Sequence, residues 1–277
     1  MVAMDGLDLA QRWDAPALQT ALQPQMPGLR VQVLAEVDST NTELMRRARA
    51  SDVTPTLLVA ETQTAGRGRM GRPWKSASAD GHAALAFSLG LPLAPRDWSG
   101  LSLAVGLALA EALHPELTIK WPNDLWWAGR KLSGILIETG ASPALAPESR
   151  YVVIGIGINL EAPDAAGLST PPAGVREFLP GLDAPSLLQR IAPGLLHTVQ
   201  TFEREGFAPL RDRYAARDAL AGREVALSDG LRGRALGLSD QGALLVRTEA
   251  GTREITSSEV SVRPVPVPAP ADGGPAA

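Results

Sequence analysis

The chain has 277 residues, 45% hydrophobic and 20% charged, with a formal net charge of −4 and no cysteine. That is enough apolar material for one large folded body with a small appendage, and the acidic balance excludes a partner held mainly through phosphate neutralisation. Disulfides, thiolate metal sites and a cysteine nucleophile are excluded outright, and His82, His114 and His197 are scattered without ligand spacing.

Residues 1–30 contain Pro and Gln with weak periodicity and read as an N-terminal extension. They hold no basic helix suited to a DNA groove, so no DNA partner is expected. No apolar signal core is present at the start. No stretch reaches the roughly 18 apolar residues of a membrane helix, which points to a soluble, cytoplasmic protein with no membrane partner. Leu29 to Glu36 alternates as a strand. Thr40 and Glu43 then have the spacing of a capping box, which predicts a helix from Leu44 to Ala50. Leu57 to Glu61 and Ala83 to Leu91 are predicted strands.

Between those two strands lies Gly66-Arg67-Gly68-Arg69-Met70-Gly71-Arg72, three glycines and three arginines in seven residues. Glycines let backbone N–H groups approach a ligand, and guanidinium forks grip phosphate or carboxylate at two points, so an anion is expected there. Arg72-Pro73 stands where a P-loop needs Lys-Ser/Thr, which excludes a Walker motif.

Trp98 to Leu113 places Leu101, Val105, Ala108, Leu109 and Ala112 on one side, predicting an amphipathic helix on a sheet. Leu117 to Trp121 and Leu132 to Thr139 are predicted strands, and Lys120 and Lys131 are expected near the ends of neighbouring strands. Tyr151 to Leu160 divides by period two. Val152, Ile154, Ile156, Ile158 and Leu160 form a core face; Val153, Gly155, Gly157 and Asn159 form a trough suited to a flat ring, with Asn159 bonding its edge. Gly155-Ile156-Gly157 lacks the third glycine and the following helix of a dinucleotide fingerprint. Residues 161–185 read as loop, and Leu188, Ile191, Leu195, Val199 and Phe202 mark a second long helix. From Arg223 to Val262, short strands separated by Asp229-Gly230, Gln241-Gly242 and Ala250-Gly251 predict a small β-barrel. The expected division is therefore 1–30, 31–220, 221–263 and a Pro/Ala/Gly-rich tail, 264–277, too poor in apolar side chains to fold.

In order and spacing these segments resemble the biotin protein ligase family: Asp38-Ser39-Thr40-Asn41, Glu61 to Trp74, Lys120-Trp121-Pro122-Asn123-Asp124, Lys131-Leu132-Ser133-Gly134 to Glu138, and Gly155 to Asn159. The resemblance implies an α+β fold, a mixed sheet flanked by helices related to the class II aminoacyl-tRNA synthetase core, followed by a small SH3-like barrel. It implies ligation of biotin to a lysine of a biotin carboxyl carrier protein through biotinyl-AMP, with ATP and Mg2+. Ser39, Thr40, Asn41 and Gln63, with Gly66, Gly68 and Gly134, resemble the biotin-holding group. Arg67, Arg69 and Lys131 resemble the cations serving both biotin and phosphate. Lys120, Asn123 and Asn159 match adenylate-side positions, and Asp124 is a candidate to orient or deprotonate the acceptor amine. The arginine loop is expected to order over the adenylate; the apolar cover of adenine, within 161–185, is left open, and no metal ligand is assigned. The alternatives are a lipoate or octanoate ligase or transferase, whose families lack the Gly-Arg-Gly-Arg run, and a biotin-responsive repressor, opposed by the short N-terminal segment and the acidic charge.

Overall fold

The computed structural model describes residues 6–74, 84–168, 170–256 and 262–265. His82 and most of the expected tail, 266–277, lie outside the described residues.

Seven strands form a mixed sheet: β1 Arg30–Val37, β2 Thr56–Gln63, β3 Ala84–Leu93, β4 Thr118–Lys120, β5 Asp124–Trp127, β6 Arg130–Gly140 and β7 Arg150–Asn159. Their order is β1-β2-β3-β7-β6-β5-β4. Strands β1 and β2 run parallel and the other neighbours antiparallel. A parallel pair needs a crossover, and helix α3, Thr40–Arg49, supplies it. The α+β fold with a mixed sheet is therefore as expected.

Helix α3 starts four residues before the predicted Leu44, and the capping box does not form. Ser39 is the N-cap, without a side-chain cap bond. The Glu43 carboxylate instead pairs with Arg46 and Arg47, and Thr40 Oγ1 turns to Gln63. A hydroxyl beside a stronger tertiary acceptor is lost to the helix end.

On one face of the sheet lie α4, Leu101–Leu113, and α5, Ala184–Glu205, packed on each other. The predicted one-sided burial of α4 is exceeded: Leu103, Ala104, Val105, Leu107, Leu109 and Ala110 are all buried. With sheet below and α5 above, a near-uniformly apolar helix is the consistent choice. Two helices that the sequence did not announce, α1 Gly6–Arg12 and α2 Ala15–Leu22, join the same core through Leu9, Trp13, Leu18 and Leu22. Residues 6–22 are thus integral to the body. Trp13 Nε1 donates to Glu61 Oε1 at 3.0 Å, which ties α1 to β2. Seven- and eight-residue helices carry too little periodic signal and too little intrinsic stability to be recognised alone.

The C-terminal strands β8 Glu224–Leu227, β9 Arg232–Leu238, β10 Leu244–Thr248, β11 Gly251–Ile255 and β12 Val262–Pro264 make an antiparallel sheet in the order β11-β10-β9-β8-β12. The predicted boundary at 263 falls inside β12, and Val265 N still donates to Glu224 O at 2.8 Å. Val225, Ala235, Leu244 and Val246 belong to the same core cluster as the large sheet. So small a unit gains from sharing a core.

Trp121, 1% exposed, carries that junction: its Nε1 donates to Gly242 O at 3.1 Å, in a β9–β10 turn where Gly242 has φ +79°. Trp121→Phe keeps most of the apolar contact but orphans that carbonyl. Stability should fall by about 1–2 kcal/mol, measured by urea unfolding; an unchanged midpoint would mean the bond contributes nothing.

Candidate active site

Across the sheet face opposite α4 and α5 runs a row of small side chains. Ala60, Ala86, Gly157 and Gly134 stand opposite one another on β2, β3, β7 and β6, and Asp124 of β5 faces Gly134. Strand β7 divides as expected, with Val152, Ile154, Ile156, Ile158 and Leu160 in the main core. Its glycines are needed for space. A Cβ on Gly155 would lie 2.2 Å from Asn41 Oδ1, and one on Gly157 would lie 2.2 Å from Trp74 Cε2. The flat ring in the trough is the chain's own Trp74, whose buried indole N–H has no hydrogen-bond partner among the described residues.

At one end of the row the start of α3 brings polar groups together. Ser39, Thr40 and Asn41 are buried. Thr40 donates to Gln63 Oε1 through its N–H at 2.9 Å and its hydroxyl at 3.2 Å. Ser88 Oγ, fully buried on β3, lies 2.6 Å from both Thr40 Oγ1 and Asn41 Oδ1. Asn41 Nδ2 donates to Glu138 Oε2 at 2.8 Å and to Leu136 O at 3.2 Å. Apart from the Glu138 carboxylate, which is paired with Arg67, these are neutral donors and acceptors, and Ser39, Thr40, Asn41 and Ser88 are buried, the surroundings a cyclic urea requires.

The arginine loop is closed into a hairpin: Trp74 N donates to Gly66 O at 2.8 Å and Gly68 N to Arg72 O at 2.7 Å. Gly66 sits at its neck, where a Cβ would be 2.5 Å from Trp74 O. Arg67 reaches Glu138 at 3.0 Å and Thr42 Oγ1 at 3.2 Å. Arg69 Nη1 donates to Asn123 Oδ1 at 3.2 Å, and Asn123 Nδ2 holds Ile135 O at 2.8 Å.

At the other end stand the lysines, and here the sequence reading is corrected. Lys120 and Lys131 are not on neighbouring strands, because β5 lies between β4 and β6. Asp124 thereby comes between them, with Oδ1 2.6 Å from Lys131 Nζ and Oδ2 3.7 Å from Lys120 Nζ. A register slip between Leu125 and Trp126 leaves Trp126 opposite Lys131 and Leu132 without a partner. Bulges re-aim side chains. Leu132 and Ile135, three apart, both enter the core, and Lys131 comes to the side of Gly134, with Nζ 3.4 Å from a Cβ built there. Lys120 is buried beside Trp126, and burial holds its ammonium below the usual lysine range against the pull of Asp124. Its pairing with Asp124 continues the row from Gly134 on to β4.

Asn159 lies beyond Gly157 on the same face of β7. Its Nδ2 donates to Ala173 O at 3.1 Å and more weakly to Lys131 O at 3.4 Å, so this amide N–H group secures the 171–173 segment along β6. That segment also pairs with Lys131 through its backbone, Lys131 N to Pro171 O and Ala173 N to Lys131 O, each at 2.8 Å. Sequence reasoning assigned no role to Ser88, Trp74 or Glu138. Ser88 had one available signal, a lone polar residue in an otherwise apolar strand.

Comparison with known proteins gives the family to which these segments belong. The Biotin/lipoate A/B protein ligase family matches residues 33–159 and the Biotin protein ligase C terminal domain matches 221–263. The Biotin--[acetyl-CoA-carboxylase] ligase of Paracoccus denitrificans is 35% identical over 246 residues, covering 82% of this chain and 98% of the relative. The chain belongs to the biotin protein ligase family. The Escherichia coli Bifunctional ligase/repressor BirA is 32% identical over 86% of this chain and 76% of its own length. The biotin protein ligase of Aquifex aeolicus, solved in complex with biotin and ATP, superposes with a TM-score of 0.69 at 30% identity, covering 85% of this chain and 99% of that one. The ligase-family match at 33–159 spans the trough, the polar end, the hairpin and the lysine end alike.

Proposed function

We propose that this ligase joins biotin to a lysine of a biotin-accepting carrier domain in two half-reactions, with ATP as the activating nucleotide. The observation that carries the reading is the Lys131–Asp124 pair at 2.6 Å, set at the end of a small-residue trough whose other end offers neutral hydrogen-bonding groups. A ring system fits the polar end and a carboxylate chain points from it toward the cations. The Aquifex aeolicus relative was solved with biotin and ATP, which supports both as substrates here.

In the first half-reaction a biotin carboxylate oxygen attacks the α-phosphorus of ATP, and the bond to the β-phosphate oxygen breaks to release pyrophosphate. Lys131 and the hairpin arginines stabilise the charge that gathers on the phosphoryl oxygens. In the second, a neutral lysine amine of the carrier attacks the anhydride carbonyl, the bond from that carbon to the phosphate oxygen breaks so that AMP leaves, and the nitrogen gives up one proton to solvent. Asp124, with its two oxygens toward Lys131 and Lys120, is assigned to orienting Lys131 ahead of taking a proton from the acceptor. Among the described residues no group of three or more His, Cys, Asp or Glu side chains could hold a metal ion. Mg2+ would come with the ATP phosphates, which need few protein ligands, and no step is assigned to it.

Trp74 must leave Gly157 for a ligand to lie in the trough. Its orphaned N–H is thereby freed to find a partner, and water is kept out of the closed site by the hairpin that carries it.

The test is incubation with biotin, Mg-ATP and a biotin-accepting carrier domain, followed by intact mass. A carrier gain of one biotinyl group supports the proposal. Octanoyl or lipoyl transfer in its place would redirect it. Arg69→Ala should chiefly speed loss of biotinyl-AMP, by about tenfold or more, because a guanidinium on a phosphate is replaced by nothing. Retention equal to the parent in a trap-and-dilute measurement would refute the anion role of the hairpin.

A further inference from the structure

Glu138 has no part in the two half-reactions above, yet it joins two pieces of the site that are far apart in sequence. Its carboxylate accepts from Asn41 Nδ2 at 2.8 Å and from Arg67 Nη2 at 3.0 and 3.1 Å. Asn41 belongs to α3 and Arg67 to the hairpin, while Glu138 is on β6, so three elements meet at one group. The orientation of Asn41 follows from its neighbours. Ser88 Oγ meets Oδ1 at 2.6 Å, which leaves Nδ2 for Glu138 and the Leu136 carbonyl. Arg67 is half-exposed, and Glu138 and Thr42 are what tie it back to the body.

We infer that Glu138 is a positioning residue: it fixes the Asn41 amide for the ligand's ring and holds the hairpin through Arg67 until a ligand anion competes for that guanidinium. The inference rests on the proposed biotin-ligating reading of the site. A guanidinium whose Nη2 already meets both oxygens of a carboxylate is placed to meet another anion, so exchange of Glu138 for a phosphoryl or carboxylate oxygen requires little rearrangement of Arg67. The shared carboxylate makes the ring pocket and the anion hairpin responsive to one another, since displacement of Arg67 changes the charge beside Asn41.

The experiment uses the full chain and three variants, Glu138→Ala, Glu138→Gln and Arg67→Ala. Two quantities are read: KM and kcat for biotin in pyrophosphate release, and amide hydrogen exchange across residues 66–74 in the ligand-free protein. Glu138→Ala removes both contacts and should raise the biotin KM on the order of tenfold, the scale of one hydrogen bond to a charged group, with a smaller change in kcat. Glu138→Gln keeps an oxygen for Asn41 and loses the charge facing Arg67. It should recover most of the KM while leaving the hairpin exchanging faster, as Arg67→Ala does. A Glu138→Ala protein with KM and hairpin exchange both within about twofold of the parent overturns the inference. If the parent itself releases no pyrophosphate with biotin and ATP, the ligase reading fails instead. In that event the exchange measurement still decides whether Glu138 holds the hairpin. Should Glu138→Ala not fold, Glu138→Gln and Arg67→Ala carry the test on hairpin exchange: agreement between them supports the latch, and parent-like exchange in Glu138→Gln overturns it.

Discussion

Lys131→Ala should slow biotinyl-AMP formation by about a hundredfold or more, the scale seen when one preorganised electrostatic donor is taken from a transition state. Lys131 is set apart from the other cations by geometry. Arg67 and Arg69 sit on a hairpin and bond to Glu138 and Asn123, whereas Lys131 rises from the sheet itself and is held at 2.6 Å by Asp124. Stability should change by less than about 1 kcal/mol, since the lysine is part-exposed and Asp124 keeps Lys120 as a neighbour. A lysine that merely snorkels at the sheet surface would leave the rate near normal. Single-turnover pyrophosphate release, with circular dichroism confirming the fold, separates the two. A folded variant within a few-fold of the parent would remove Lys131 from the chemistry and leave the phosphoryl charge to Arg67 and Arg69.

Gly155→Ala is expected to damage binding and folding together. The new methyl would come within 2.2 Å of Asn41 Oδ1 and 2.8 Å of its Cγ, so Asn41 must move. Moving it strains the contacts to Ser88, Glu138 and the Leu136 carbonyl, the first of them fully buried. One orphaned buried polar group costs about 1–3 kcal/mol, which for a chain of this size lowers the melting temperature by several degrees. The biotin KM should rise about a hundredfold or more, because the methyl and the displaced amide both intrude on the trough. Gly194→Ala is the contrasting control: nothing lies within 4 Å of a Cβ there, and it is an exposed position of α5, where alanine is the better helix former by about 1 kcal/mol. Equal melting temperatures for Gly155→Ala and the parent would show that Asn41 relaxes at no cost and that the network is not a constraint.

Much of the site could be read from residues because its signals are local. The two faces of β7 follow from period two, and Gly155 and Gly157 mark a missing-side-chain trough whichever strand lies beside them. The Gly/Arg run announces an anion whatever its backbone conformation. Thr40 shows the limit of local signals: its spacing to Glu43 fits a capping box, but Gln63, 23 residues on, offers the hydroxyl an acceptor and takes it.

By itself the sequence determined the chemical character of each segment and, through the family that those segments resemble, the mixed-sheet class of fold, because residue identity and short spacing are properties of the chain alone. Tertiary structure alone decided how those segments face one another. The slip between β5 and β6 puts Lys131 on the side of Gly134, although strict alternation places residues an odd number apart on opposite faces. The insertion of β5 between β4 and β6 sets Asp124 between two lysines, and the hairpin delivers Trp74 to Gly157. Helices α1 and α2 acquire their place only from the sheet edge they cover. The physical reason is common to all four: register, insertion and docking are set by contacts between segments distant in sequence, whose energies depend on the partner as much as on the residue.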